Sequence, residues 1–106
     1  MFRGTMPNNE EVIIKTKDVF VRIIELGPHE QGRWHYHSEV VDTFFYFTGT
    51  VSVFLKDPDE EILLAPGKRC DVIQGRVHQA TNIGAENARY VLVQGVGAYD
   101  FNAVNP

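Results

Sequence analysis

Cysteine is almost missing from this chain: Cys70 stands alone among 106 residues. That excludes an internal disulfide and suits a reducing compartment. Leucine is scarce as well, with 5 Leu against 13 Val and 7 Ile. β-Branched side chains are stiff at χ1 and favour a pleated, half-buried surface, so this composition speaks against helices and for an all-β domain. Basic residues are few and scattered. Ten Lys and Arg against 14 Asp and Glu leave a net charge of −4, which argues against nucleic acid as a partner. No apolar run approaches the roughly 20 residues that cross a bilayer. The opening residues have no apolar centre of the kind a secretory signal needs. These absences lead us to expect a cytoplasmic protein without nucleic-acid or membrane partners. No Ser-His-Asp or Cys-His pattern and no phosphate-cradling glycine loop stands out either.

The length suits one domain. Residues 1–10, polar and containing Pro7-Asn8-Asn9, read as a flexible arm, and residues 11–106 as a single domain. Within it, short branched segments alternate with turn residues: 12–15, 19–26, 34–37, 43–47, 51–55, 61–64, 69–73, 77–81 and 89–93. Lys56-Asp57-Pro58-Asp59-Glu60 is a hairpin signal, and Ala65-Pro66-Gly67 and Gln74-Gly75-Arg76 are further turns. Residues 95–101 read as an irregular tail. Many short strands at near-regular spacing indicate a sandwich or barrel.

Histidine carries the chemistry. In Trp34-His35-Tyr36-His37 two imidazoles are one residue apart, and on a strand that spacing turns both to one face. His78 lies in a later strand-like segment. Neutral imidazole is the commonest protein ligand for divalent transition metals, although His-x-His alone in a β protein is more often a surface or core pair. A carboxylate, Asp42, opens the strand after the bend, where its bland role is to cap that bend. Glu39 is a rival acid within the bend.

Taken together, the residues read His35-x-His37-x4-Asp42-x6-Gly49 and, later, Gly67-x5-Ile73-x-Gly75-x2-His78-x3-Asn82, with 17 residues, 50–66, between the two stretches. They resemble the two motifs of the cupin family, G-x5-H-x-H-x(3–4)-E-x6-G and G-x5-P-x-G-x2-H-x3-N. The resemblance spans roughly residues 19–95. Three positions depart from it. His29 stands where the first glycine belongs, Ile73 replaces a turn proline, and Asp42 replaces the glutamate. Aspartate is one methylene shorter, which leaves direct ligation, ligation through water, or three histidines alone.

The resemblance implies a cupin-type jelly-roll barrel, or double-stranded β-helix, with a metal inside its cup. It implies His35, His37 and His78 as ligands with Asp42 as the fourth, for zinc, iron, manganese, nickel or copper. Gly49, Gly67 and Gly75 would be turn positions, and Asn82 would support a turn near the site. Cupins of this size include dioxygenases, isomerases, lyases and polyketide cyclase-like proteins, so the resemblance implies a metal-dependent enzyme for a small organic molecule. The alternative is a non-catalytic binding or sensor protein, since fold does not fix function. Tyr46 and His29 are candidates for a general acid or base. Strand phase turns Phe44 and Tyr46 to the same side as Asp42. Arg22 shares a side with Phe20 and Ile24 and is expected to leave the apolar core at the barrel edge; facing the cup, it would anchor an anion. Gln94, Tyr99 and Phe101 are candidates for closing one end. Exposed sheet edges, 12–15 above all, point to a homodimer.

Overall fold

Period-two patterning governs the whole molecule. The computed structural model describes residues 9–106. The arm expected over 1–10 lies outside the described residues except for Asn9 and Glu10, and Glu10 already opens a strand. The strands are β1 (Glu10–Lys15), β2 (Val19–Leu26), β3 (His35–Tyr36), β4 (Val41–Thr48), β5 (Val51–Leu55), β6 (Glu60–Leu63), β7 (Arg69–Val72), β8 (His78–Asn82), β9 (Ala88–Gly95) and β10 (Asn102–Ala103). Among the described residues there is no α-helix, and hence none long and apolar enough to cross a membrane. The segments expected from the sequence match β1 to β9 within two residues at most ends. The last strand, β10, falls just beyond the tail expected to be irregular.

Two five-stranded antiparallel sheets face each other, one in the order β1-β2-β9-β4-β7 and the other β10-β3-β8-β5-β6. The all-β jelly roll is present, but the expected barrel is not closed. Each passage from one sheet to the other runs through a loop, as at 38–40 between β3 and β4 and at Gly49-Thr50 between β4 and β5, so no ladder joins the two sheets. The result is a sandwich with open edges.

Between the sheets lies one apolar cluster, to which β2 contributes Leu26, β4 Phe44, β5 Val51, Val53 and Leu55, β7 Cys70 and Val72, and β9 Ala88, Tyr90 and Leu92. Every second residue of β9 is buried, and the buried set reads Ala88, Tyr90, Leu92, Gln94. Each large apolar side chain in this layer contributes about 1.5–3 kcal/mol by leaving water. Cys70 is part of that layer and its thiol is pushed up to about 11, chiefly by burial, so it packs as a small hydrophobe. Gly49, at the β4–β5 turn, has φ of +80°, and a Cβ there would stand 2.5 Å from the Cβ of Ala88. Only glycine meets both demands.

Candidate metal centre

Two cross-strand pairs, one on each sheet, build the site. In the second sheet His35 of β3 is directly opposite His78 of β8. In the first, Asp42 of β4 is directly opposite Gln94 of β9. His37 follows β3 by one residue and turns into the space between the sheets. One donor atom from each of His35, His37, His78 and Asp42 falls within 4.8 Å of the others. His37, His78 and Asp42 are buried, while His35 is half-buried at the mouth.

Each imidazole is aimed by a backbone carbonyl. The Nδ1 of His35 donates to the carbonyl of Arg33 at 2.7 Å, and that of His78 to the carbonyl of Arg76 at 2.8 Å. These are the two opposed residues of one ladder, each bonding two positions back in the chain, just ahead of its own strand. The Nδ1 of His37 donates to the carbonyl of Asp100. A carbonyl oxygen only accepts, so Nδ1 carries the proton in all three rings and Nε2 is the inward-facing nitrogen.

Asp42 lies among those nitrogens. Its Oδ2 is 2.8 Å from Nε2 of His78 and 3.1 Å from Nε2 of His37. Burial opposes ionisation of this carboxyl, but the hydrogen bonds and charge of His37 and His78 outweigh it and hold Asp42 well below the usual carboxylate range. For His37, burial alone would lower the pKa; the Asp42 carboxylate and the Asp100 carbonyl outweigh it and raise it. His35 goes the other way. Burial, reinforced by its two histidine neighbours, brings it down to about 4 against the pull of the Arg33 carbonyl. With Nδ1 already donating, a His37 ring that also donates from Nε2 to Asp42 is an imidazolium. The metal-free cluster is thus held by proton-mediated contacts that a cation can replace.

The donor set fits a divalent transition metal: three Nε2 atoms fixed toward one point and one ionised carboxylate oxygen. The second oxygen of Asp42 is taken, since Oδ1 accepts from Nε2 of Gln94 at 2.9 Å. The Gln94 amide cannot flip, because its Oε1 accepts from Nη2 of Arg22 at 2.6 Å. Nη1 of Arg22 pairs in turn with Glu10 at 3.2 Å. A chain of polar contacts, Glu10–Arg22–Gln94–Asp42, therefore runs from the β1 edge to the cluster.

Beside the cluster opens a cavity of about 200 Å³. Its walls are mainly apolar, with Ile24, Leu26, Phe44, Tyr90 and Leu92 from the first sheet. Arg22 lines it too, so the arginine expected to leave at the barrel edge instead faces the cup. Its neighbour Phe20 occupies the same face of β2, and the guanidinium stacks 4.0 Å from the centre of that ring, which recovers apolar contact for a charged group.

The tail closes one side of the cavity. Phe101 stacks on His35 with centroids 4.3 Å apart and planes 17° apart, and Tyr99 lies 5.4 Å from the His37 ring. The other sequence candidates are placed elsewhere. His29 is exposed in its loop with φ of +58°, and Tyr46 packs on the outer part of the apolar cluster; neither lines the cavity. Glu39 is exposed and accepts from the Ala98 amide. Asn82 supports a turn as expected, donating to the carbonyls of Leu26, Gly27 and Glu86 and accepting from the Gly84 amide. The residues not foreseen are Gln94 as the partner of Asp42, and Asp100, whose carbonyl aims His37. Gln94 had a signal, as the polar member of an otherwise apolar inward stripe on β9. Asp100 had none, because its backbone makes the contact.

Solved structures share this architecture. A Klebsiella pneumoniae protein with a double-stranded β-helix domain superposes with a TM-score of 0.79 at 24% identity, over 92% of this chain and 84% of that one. The cupin domain of Schizosaccharomyces pombe Cnp3 superposes with a TM-score of 0.73 at 14% identity, over 82% and 63% of the two chains. The fold is that of a cupin. A third cupin-like structure, an oxalate oxidase, gives a TM-score of 0.75 at 15% identity over 97% of this chain and 59% of its own. No family model matches the sequence, and no curated protein is similar to it in sequence. The cupin likeness is therefore one of fold, and the chemistry has to be argued from the cup itself.

Proposed function

We propose that this cupin is a metal-dependent enzyme acting on a small organic molecule bound in the cup. One observation carries the reading: three imidazoles pinned at Nδ1 turn their Nε2 atoms, together with the Asp42 carboxylate, toward a common point beside an open cavity. His35, His37, His78 and Asp42 would hold a divalent transition metal, and such an ion acts as a Lewis acid toward an oxygen of the substrate. His35 is neutral at physiological pH and donates without first losing a proton. A His37 ring protonated at Nε2 would have to lose that proton to act as a ligand, so loading the site would release protons. Asp42 offers Oδ2 alone, because Gln94 occupies Oδ1. Leu92, Ile24 and Phe44 line the cavity and would pack against the carbon skeleton of the substrate. The oxalate oxidase among the similar structures is an enzyme on the same fold, and this favours turnover over storage as an analogy only.

The test is elemental analysis of protein purified without chelator, combined with turnover screens that include oxygen consumption. One divalent ion per chain is expected, lost in His35→Ala while the β-rich circular dichroism spectrum persists. Full metal occupancy in that variant refutes the ligand assignment. Saturable binding of candidate molecules without turnover makes the cup a binding site and refutes the enzyme.

A further inference from the structure

We infer that the molecule taken by the cup is a small carboxylate, anchored by Arg22. This rests on the cup being the working site, and it specifies the ligand's charge. Arg22 lies in the inward stripe of β2 with only 12% of its side chain exposed. Its guanidinium is fixed on three sides: Glu10 at Nη1, Gln94 at Nη2 and the Phe20 ring beneath. Nε is left over. It is the buried side-chain nitrogen that finds no hydrogen-bond partner among the described residues. A buried donor without a partner is costly. Nε is itself sealed, so a ligand acceptor meets the guanidinium first through the second protons of Nη1 and Nη2, and a side-chain shift that also frees Nε recovers that loss.

The balance of charge points the same way. Besides Arg22, the cavity wall holds Arg33 at its rim, exposed and without an ion pair among the described residues. Among the described residues Asp42 is the one acid on that wall, and both its oxygens are already engaged, Oδ2 against the His37 and His78 rings and Oδ1 by the Gln94 amide. An anion entering the cup therefore meets the unpaired Arg33 at the rim, then an Arg22 guanidinium shared with Glu10, and no free carboxylate among the described residues. The planar fork of arginine matches a planar carboxylate, and beside the apolar walls Ile24, Leu26, Phe44 and Leu92 a singly charged group is less costly to desolvate than a phosphate dianion. Size narrows the class further. The Gln94 amide alone spans the gap from Arg22 to Asp42. A carboxylic acid of a few carbons, held by its carboxylate at Arg22, thus reaches the imidazole cluster with its other end.

Calorimetric titration of acetate, glycolate, lactate and malonate, each against its uncharged amide, tests this on both zinc-loaded and metal-free protein. At least one acid is expected to bind about tenfold or more tightly than its amide, as the loss of a charge-assisted hydrogen bond implies. That preference should vanish in Arg22→Met and survive in part in Arg22→Lys. Equal binding of every acid and its amide to the folded wild-type protein overturns the inference, and so does a preference that persists in Arg22→Met. The wild-type comparison stands whether or not the methionine variant folds. Metal content, measured on the same samples, reports separately on the metal centre: an acid preference in protein that never takes up metal supports the anchor and refutes the metalloenzyme.

Discussion

Gln94→Leu is the most informative single substitution, because it tests whether one buried amide positions the metal-binding carboxylate. The change keeps the volume of a side chain that is 1% exposed and removes, besides a 3.3 Å contact of its Nε2 with Nε2 of His37, two hydrogen bonds to charged groups. One runs from Nε2 to Oδ1 of Asp42 at 2.9 Å, the other from Nη2 of Arg22 to Oε1 at 2.6 Å. Each involves an ionised group, and bonds of that kind contribute about 1.5–3 kcal/mol. Leucine restores apolar contact with its neighbours, and the open cup lets water reach the abandoned groups, so we expect a net loss of about 2–4 kcal/mol in the metal-free protein. A domain of this size has about 5–15 kcal/mol of stability, so the variant still folds and its site can be measured. Metal affinity should fall about tenfold to a hundredfold, the usual effect of losing a group that orients a ligand. Urea unfolding of the metal-free protein gives the first quantity, and competition with a chromophoric zinc chelator the second. Wild-type zinc affinity alongside the expected loss of stability would refute the reasoning, leaving Gln94 a packing residue without influence on Asp42.

The sequence made the strands legible because branched residues and turn signals alternate so regularly, and β2 to β9 lie close to where that pattern puts them. It made the imidazoles legible too. A one-residue spacing reads directly as one face of a strand, and His35 does stand across the ladder from His78. What it could not convey is contact made through backbone or between distant strands. The carbonyl that aims His37 belongs to Asp100, 63 positions away, and a carbonyl has no sequence signature. Barrel closure was likewise invisible, since it depends on whether loops let ladders continue from one sheet to the other. Arg22 was misplaced for an instructive reason. A lone arginine in an apolar stripe is costly, so an exit to solvent looked cheaper. The structure offsets that cost with Glu10, Gln94 and the Phe20 face, none of which is adjacent to Arg22 in sequence. The shorter carboxylate of Asp42 is met in the same way, by a cross-strand partner that fixes one oxygen and leaves the other for the imidazoles.

The two glycine turns should respond very differently to alanine. Gly49→Ala combines positive-φ strain with a 2.5 Å clash on Ala88 and is expected to cost about 2–5 kcal/mol, whereas Gly67→Ala, with φ of +76° and open space around it, should cost only about 1–2 kcal/mol by urea denaturation. Comparable losses at both would show that the Ala88 contact is unimportant. We also propose a homodimer through β1, an edge strand whose Val12, Ile13 and Ile14 are each about half exposed. Light scattering should give twice 12.0 kDa and Ile14→Lys should halve it; a wild-type mass of 12.0 kDa refutes the dimer. Finally, stability should depend on pH with opposite signs in the two states of the site. In metal-free protein the depressed pKa of Asp42 gives stability that is lost as pH falls below the ordinary value of 3.8, and the unfolded chain protonates His35 first between about 6.5 and 4, so stability rises with pH up to 6.5. His37 is raised, so its contribution is complete below 6.5 and disappears as pH climbs through its folded value. The melting temperature without metal should therefore peak near pH 6.5 and decline above it, while in excess zinc it should keep rising over the same range, because metal binding displaces the proton that the His37–Asp42 contact retains. Asp42→Asn should flatten the metal-free decline, and a metal-free melting temperature that rises from pH 7 to 9 would refute the imidazolium–carboxylate description of the cluster.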